Sequence, residues 1–565
     1  MLKKMIENMH KKLKKWIVWG ALLLVAGGSF AATSQPDFLL GKNIQILFNM
    51  FRDVSLFYVD SVDADRLLEN AAAGMVSELD PYTELIPEKE MADFEIQATG
   101  KYAGIGAIIR KSGDYVMIAQ PYKNFPADKA GLVIGDVIVA INGESIKGYD
   151  ATKVSNMLKG TPGTSVKLTV EKLLTGEQEE VEIKRERIVI SGVPYYGVID
   201  GNVGYILHND FSEDCSQDVL AAFEALKKQG ITSLIIDLRG NGGGILQEAV
   251  KILSMFVPKG TTVVSMKGRS EDSNETFVTT TDPVDTEIPI AVLVNSMTAS
   301  AAEIVSGSLQ DLDRAVLVGQ RTFGKGLVQV TRPLGYNAYL KVTTAKYYIP
   351  SGRCIQSVDY AHRNEDGSVG MVPDSLIKEY KTVAGRKVYD GGGIMPDVRL
   401  DPNYTSIFTM SLYAKGYIED FANDYYKRHR EGIDVDTFTL SDEEYGRFEA
   451  FMADKEVEYD SETQEALKEL RRKAEREKYA DRISEELDRI AEKLKEDKEA
   501  DLESFKDDVR KLLEKEIILR YHYNGGVARH VSLNDPEVHR AVEVLKNGEE
   551  YRRILTSQDT PRNAE

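Results

Sequence analysis

The spacing of hydrophobic and polar positions changes character several times along the chain. From residue 37 to 95 the apolar residues fall at helical intervals, in LLGKNIQILFNMFRDVSLFYV and ADRLLENAAAGMVSEL. The second run is expected to stop at Asp80-Pro81, because a residue before proline avoids the helical region. Residues 96–185 break into short β-rich runs, YVMIAQ, DVIVAING and SVKLTVEKL, separated by Gly and Pro turns. Two short helical pieces, PADKAGL and DATKVSNMLKG, interrupt them, which predicts a small mixed β/α module. Residues 186–400 alternate buried strands (NVGYILH, SLIIDLRG, IPIAVLVN, AVLVGQ) with helices (QDVLAAFEALKKQ, ILQEAVKILSMF, SAAEIVSGSLQDL). Apolar strands followed by helices predict βα units and a largely parallel sheet. Residues 401–565 read as helical and charged. From Ser441 to Leu519, Glu, Lys and Leu dominate and charges often sit four apart. That pattern predicts a solvated helical domain or a coiled-coil-like arm, with no catalytic role.

Ahead of these segments, lysines at positions 3, 4, 11, 12, 14 and 15 precede an uncharged run, Trp16–Ala32, with Ser29-Phe30-Ala31 offering small residues for cleavage. Residues 1–32 therefore read as a signal peptide or an uncleaved membrane anchor. Either one exports the rest of the chain, to the periplasm or cell envelope, anchored to the inner membrane if uncleaved.

At 565 residues the chain should hold three or more domains. A formal charge of −19 provides no basic field for nucleic acid. Two cysteines, Cys215 and Cys354, cannot build a disulfide framework or a zinc cage, and read as unrelated thiols. The seven histidines are scattered without an HExxH pair, which argues against a metal-dependent hydrolase; no metal or cofactor is expected. A Ser–His–Asp triad needs only one histidine, but His208, in VGYILHNDF, reads as a structural strand residue.

The chemistry concentrates in IPIAVLVNSMTASAAEIVSGSLQDLDRAVLVGQRTFGKGLVQV. A buried strand, 288–294, runs through a polar turn into a helix starting near Ala301. Ser300 takes the N-cap position and Glu303 follows three residues later, the spacing of a capping box. Taken alone, that pattern is an ordinary cap. A helix N-terminus nevertheless presents free N–H groups that can stabilise the oxyanion formed when a serine attacks a carbonyl. Lys325 lies among glycines and apolar residues, and burial lowers a lysine pKa by disfavouring its charged form. A neutral lysine can accept the serine proton; the plain alternative is a surface lysine in a Gly-rich turn. Gln329, four residues on, would share a strand face with Lys325 and could hold its amine. The glycines of DLRGNGGG expose backbone N–H groups at a strand end, so Gly243 or Gly244 could join the Ala301 amide in an oxyanion hole, or simply form a tight βα turn.

Rival motifs fall away. Gly319-Gln-Arg-Thr-Phe-Gly324-Lys325 lacks the Ser or Thr of a P-loop, since Gly326 follows, and a strand pattern replaces the expected helix. The glycines at 240–244 do not complete GxGxxG. Ser375-Leu-Ile-Lys378 matches SxxK without SDN or KTG.

In order and spacing, YVDSVDADRLLENAAAGMVSELDPYTELI, GIGAII, ADKAGLVIGDVIVAINGESIKG, DLRGNGGG, TASAAEI, RTFGKGLVQ and GGGIMPDV resemble the C-terminal processing peptidases, tail-specific serine proteases of family S41. The resemblance covers roughly residues 40–400. It implies a multidomain α/β fold: an N-terminal helical segment (37–95), an inserted PDZ domain (96–185) and a ClpP/crotonase-like βα protease core (186–400); the C-terminal charged helical region (401–565), read from its own pattern, is less typical of the family and no function is carried onto it. It implies Ser300 as nucleophile, Lys325 as general base, Gln329 as the residue orienting the lysine, and oxyanion donors from Gly243 and Ala301. It implies that Gly104-Ile105-Gly106 binds the terminal carboxylate of protein or peptide substrates with apolar C-termini. In some members the PDZ domain moves between blocking and activating positions, and a homo-oligomer is allowed. Gly242 and Ala302 depart from the common pattern without removing a catalytic group. A catalytically silent PDZ scaffold in the envelope is the rival from another class. An enoyl-hydratase-like acyl enzyme would need a coenzyme A pocket that the sequence does not support.

Overall fold

The computed structural model describes residues 35–364, 367–459, 461–494 and 498–556. The export segment read at 1–32 lies outside them. Among the described residues no helix is long and apolar enough to cross a membrane.

The chain divides into two units. The described part of the smaller one holds helices Gln35–Phe57 and Ala64–Val76, and a short strand, Glu84–Ile86, paired antiparallel with Tyr339–Lys341. The Asp63 carboxylate caps the second helix by accepting from the Asp65 and Arg66 amides. That helix stops at Val76, four residues before Asp80. The Asp80 side chain instead accepts from the Tyr82 and Thr83 amides and builds the turn beyond it.

The larger unit contains the remaining architecture. Strands Ala107–Ser112, Tyr115–Pro121, Val137–Ile141, Ser165–Glu171 and Gln178–Lys184 form an antiparallel sheet with helices Pro126–Lys129 and Ala151–Leu158 around its own apolar core. Alternation produces that core: Val166, Leu168 and Val170 point inward from one strand while the residues between them stay more exposed.

The segment after this antiparallel sheet builds a six-stranded sheet whose strands lie in sequence order: β1 (Tyr195–Ile199), β2 (Val203–Leu207), β3 (Ser233–Asp237), β4 (Ile290–Val294), β5 (Val316–Gly319) and β6 (Val398–Arg399). Only the β1–β2 pair is antiparallel. Strand β4 shows why both faces must be covered. Ile290, Val292 and Val294 pack with α1 (Cys215–Lys228), α2 (Leu246–Phe256) and α3 (Ala301–Asp311). Ala291 and Leu293 face the other way. Their cover comes from the end of the chain: Val538, Ala541, Val542, Val544 and Leu545 of α5 (Pro536–Lys546) and Tyr551 of α6 (Gly548–Thr556). Each buried Val or Leu among them contributes about 1.5–3 kcal/mol. The Tyr551 hydroxyl also accepts from the Ile290 amide at 3.0 Å.

Of the two readings of the charged C-terminal region, a solvated helical domain and a coiled-coil-like arm, the structure shows a packed helical domain. Helices between Ile407 and Ser504 pack an aromatic core of their own, with Phe408, Phe421, Tyr445 and Phe448 buried. The pair Glu462–Arg476 and Ala480–Lys493 fits the solvated pattern, with Ala474 and Leu487 its only buried residues. The last helices, however, are part of the six-stranded sheet's packing. The long helix α4 (Lys506–Asn534), which precedes α5, breaks its helical path at Tyr523 (φ 56°, ψ −168°). There the hydroxyl donates to Asp128, next to the PDZ-like module's Ile105–Ala127 hydrogen bond.

Candidate active site

Strand β4 delivers the chain to a turn tied down on one side by the loop after β3. Asn295 Oδ1 accepts from the Gly240 amide at 3.0 Å. The Thr298 hydroxyl donates to the Leu238 carbonyl at 2.8 Å, and the Ala299 amide donates to the Asn241 carbonyl at 2.9 Å. Ser300 then adopts φ 56°, ψ −118°, a conformation that costs a non-glycine residue energy. Strained, partly buried and at the N-cap of the buried helix α3, it has the setting of a nucleophile on a strand-to-helix elbow.

Glu303 does more than cap. Its carboxylate is wholly buried and accepts four hydrogen bonds. The Ser300 and Lys325 amides each donate to Oε2 at 2.9 Å. The Gly324 amide, at 2.8 Å, and the Thr322 hydroxyl donate to Oε1. Two amides sharing one oxygen at 2.9 Å can be no more than about 6 Å apart. A second bridge comes from Tyr347, whose hydroxyl donates to the Lys325 carbonyl and lies 3.2 Å from the Ser300 carbonyl. The serine and lysine backbones are thus clamped together through two buried side chains.

The lysine loop is held from behind by GGGIMPDV. The Ile394 amide donates to the Thr322 hydroxyl at 2.7 Å, and the Thr322 amide donates back to the Ile394 carbonyl at 3.0 Å. At Gly324 (φ 84°) a Cβ would collide with the Ser357 side chain, so this position needs glycine. The strand after the loop begins at Leu327, so Lys325 precedes it and the shared-face argument does not reach the lysine. The Gln329 side chain donates to the Thr343 hydroxyl at 3.1 Å, across the pair Leu327–Gly335 and Ala338–Tyr348.

Gly243 packs directly on Ser300. At φ 92° its Cβ would sit 2.7 Å from the Ala299 carbonyl and Ser300 Cβ, and 2.8 Å from the Ala301 amide. Its own amide donates to Asn241 Oδ1 at 2.9 Å. Asn241 is fully buried and its side-chain amide donates to the His208 carbonyl at 2.7 Å. A Cβ at Gly242 would meet open space, and Ala302 is buried, so these two departures leave the turn intact. His208 itself is buried against Phe211 with Nδ1 on the Gly192 carbonyl, and burial lowers its pKa to about 4, in keeping with a structural role. Cys215 and Cys354 are free thiols.

Burial raises the Glu303 pKa to about 7, while its four hydrogen bonds pull the other way. The folded chain then keeps a proton that the unfolded chain releases near pH 4.5, so this group's contribution to stability declines as pH rises from about 4.5 to 7 and is level above. Thermal unfolding of Ser300→Ala should show that decline, of at most about 3 kcal/mol. Adding Glu303→Gln should flatten it; an unchanged slope would refute the assignment.

Gly104, Ile105 and Gly106 are buried, and Gly104 and Ile105, but not Gly106, line a groove of about 500 Å³ that is also lined by Ala107, Ile108 and Ile109 and by residues of helix Ala151–Leu158. Helix Met91–Thr99 contributes Asp93, Ile96 and Gln97 to its wall.

Residues 202–362, which include Ser300, Lys325 and Gln329, match the model of peptidase family S41. A probable CtpA-like serine protease of Staphylococcus aureus (strain COL) is 37% identical over 428 residues, 72% of this chain and 81% of that protein. The chain belongs to peptidase family S41, the C-terminal processing peptidases. This S41 peptidase is a serine hydrolase acting on peptide bonds, with a PDZ domain matched over 117–172 and a PDZ-protease C-terminal helical domain over 408–545. A probable CtpA-like serine protease of Staphylococcus epidermidis is 33% identical over 62% of this chain and 73% of that protein. Among solved structures, a photosystem II D1 C-terminal processing protease is 26% identical, covering 64% of this chain and 93% of that one, with a TM-score of 0.35. The multidomain α/β fold expected from the sequence is that of this S41 peptidase. Of its functional surroundings, Glu303 was legible only as a cap, and Tyr347 and Asn241 gave no sequence signal.

Proposed function

We propose that this S41 peptidase is an endopeptidase using a Ser300–Lys325 pair. The observation that carries the reading is the buried Glu303 carboxylate, on which the amides of both residues converge. Lys325 Nζ takes the Ser300 hydroxyl proton as Oγ attacks the scissile carbonyl. The amides of Ala301 and Gly243 receive the oxyanion, the latter turning away from Asn241 Oδ1. The lysine returns its proton to the leaving amine, the peptide C–N bond breaks, and an acyl-enzyme remains. Water, deprotonated by the same amine, hydrolyses the ester. Gln329, steadied by Thr343, orients the amine.

The PDZ groove would select substrates by their ends, the Gly104–Gly106 loop receiving the terminal carboxylate and the apolar last side chain lying in the groove. Residues 1–32 would export the enzyme, directing it to envelope proteins. The test is cleavage of an unfolded protein with an apolar C-terminus, with product ends mapped by mass spectrometry. Ser300→Ala should lower the rate by at least about a thousand-fold. Amidating the substrate terminus should lower kcat/KM about tenfold, the worth of one charged hydrogen bond. Equal, slow degradation by wild type and Ser300→Ala would replace the enzyme reading with that of a silent scaffold.

A further inference from the structure

We propose that Glu537, in the first turn of α5, is a positioning residue for catalysis, holding the loop that carries Gly243 and the loop that carries Lys325 at a fixed separation. The proposal rests on the Ser300–Lys325 reading.

Glu537 Oε2 accepts from Arg239 Nη1 at 2.7 Å, and Oε1 accepts from Gln320 Nε2 at 2.6 Å. Arg239 follows β3 and lies four residues before Gly243; Gln320 follows β5 and lies five residues before Lys325. Because β4 lies between β3 and β5, Glu537 spans the carboxyl edge of the sheet on both sides of the strand that leads to Ser300. Its own position is fixed. The Asp535 carboxylate caps α5 by accepting from the Glu537 amide at 2.8 Å and accepts from Arg239 Nη1 at 2.9 Å. The other face of the guanidinium is held by Asp237, which also accepts from the Tyr205 hydroxyl at 2.7 Å. Side chains of Arg239 and Glu537 are each 15% exposed, so solvent weakens these charge-assisted bonds little.

Docking of α5 does not depend on this contact. Val538, Ala541, Val542, Val544 and Leu545 already fasten the helix to the sheet. What Glu537 adds is a direct tie between the stems of two glycine-rich loops, 240–244 and 324–326, which are otherwise joined through the Ser300 turn to which each is bound. A displacement of about 1 Å between reacting groups can cost about a hundred-fold in rate.

The test uses the full chain with Glu537→Ala, Glu537→Gln, and Glu537→Gln combined with Gln320→Glu. Measured quantities are kcat and KM on a peptide, the labelling rate with a fluorophosphonate, and thermal unfolding. Glu537→Ala should lower kcat and labelling about 10- to 100-fold, change KM less than about threefold, and leave the unfolding temperature within a few degrees. Glu537→Gln alone removes the charge that Arg239 pairs with, and its amide fits Gln320 only if that side chain turns over, so it should lose part of the rate. The exchanged pair restores acceptor and donor at both contacts and should recover most of it. Wild-type kcat in Glu537→Ala, a change confined to KM, or a loss that follows unfolding without recovery in the exchanged pair would each overturn the proposal. Labelling of Ser300→Ala at the wild-type rate would instead overturn the Ser300–Lys325 reading beneath it.

Discussion

Lys325→Met should lower peptidase turnover by a thousand-fold or more while leaving the protein folded. Methionine keeps most of the alkyl length of the partly buried side chain and removes only the amine. The loop itself is held through its backbone, by the Glu303 carboxylate on the Lys325 amide and the Tyr347 hydroxyl on its carbonyl, and neither contact involves the amine. The expected result is therefore a silent site in an unchanged frame: kcat/KM on a fluorogenic peptide falls to near background, fluorophosphonate labelling of Ser300 falls in parallel, and the unfolding temperature moves by no more than a few degrees. If Lys325→Met labels and turns over within tenfold of wild type, the base is another group and the proposed pair is wrong. Glu303→Ala offers a contrast. It removes the anchor of four donors from a fully buried position and should cost both activity and stability.

Gly243→Ala should lower kcat by about a hundred-fold or more. At φ 92° an alanine is strained, and its methyl group would press on the Ser300 side chain and on the Ala301 amide, one of the two proposed oxyanion donors. The neighbouring contacts are backbone and cannot swing aside as a flexible side chain would. Because the damage falls where the tetrahedral intermediate forms, a peptide aldehyde or boronate should lose affinity in proportion to kcat, whereas KM for substrate should change little. Gly242→Ala, where a Cβ meets open space and φ is ordinary, is the matched control and should keep near-normal turnover. Equal effects of the two substitutions would remove Gly243 from the site.

How far the sequence reaches can be seen in particular residues. The alternation of Ile290, Val292 and Val294 with Ala291 and Leu293 announced a strand buried on both faces, and the Ser300…Glu303 spacing marked the start of α3. Both are local signals, carried by side-chain period and by unmet N–H groups at a helix end. The second task of Glu303 was hidden because three of its donors belong to residues 19–22 positions away. Tyr347 looked like any strand tyrosine. The charge pattern read from Ser441 to Leu519 fits the solvent-facing helices within 462–493, whereas 536–556, beyond that stretch, covers the protease sheet with apolar faces that charge spacing did not announce.

By itself the sequence determined the elements and the largely parallel order of the core, which follow from hydrophobic period and turn chemistry within a few dozen residues. The PDZ insertion and the candidate roles of Ser300 and Lys325 came from the resemblance of its motifs to those of family S41. Only the tertiary structure decided what holds the Ser300 and Lys325 backbones together, which amide Asn241 engages, and that the N-cap of α5 reaches back 296 positions, from Asp535 to Arg239, to the loop after β3. Those contacts are fixed when distant surfaces are buried together, and no local preference along the chain encodes which surfaces will meet.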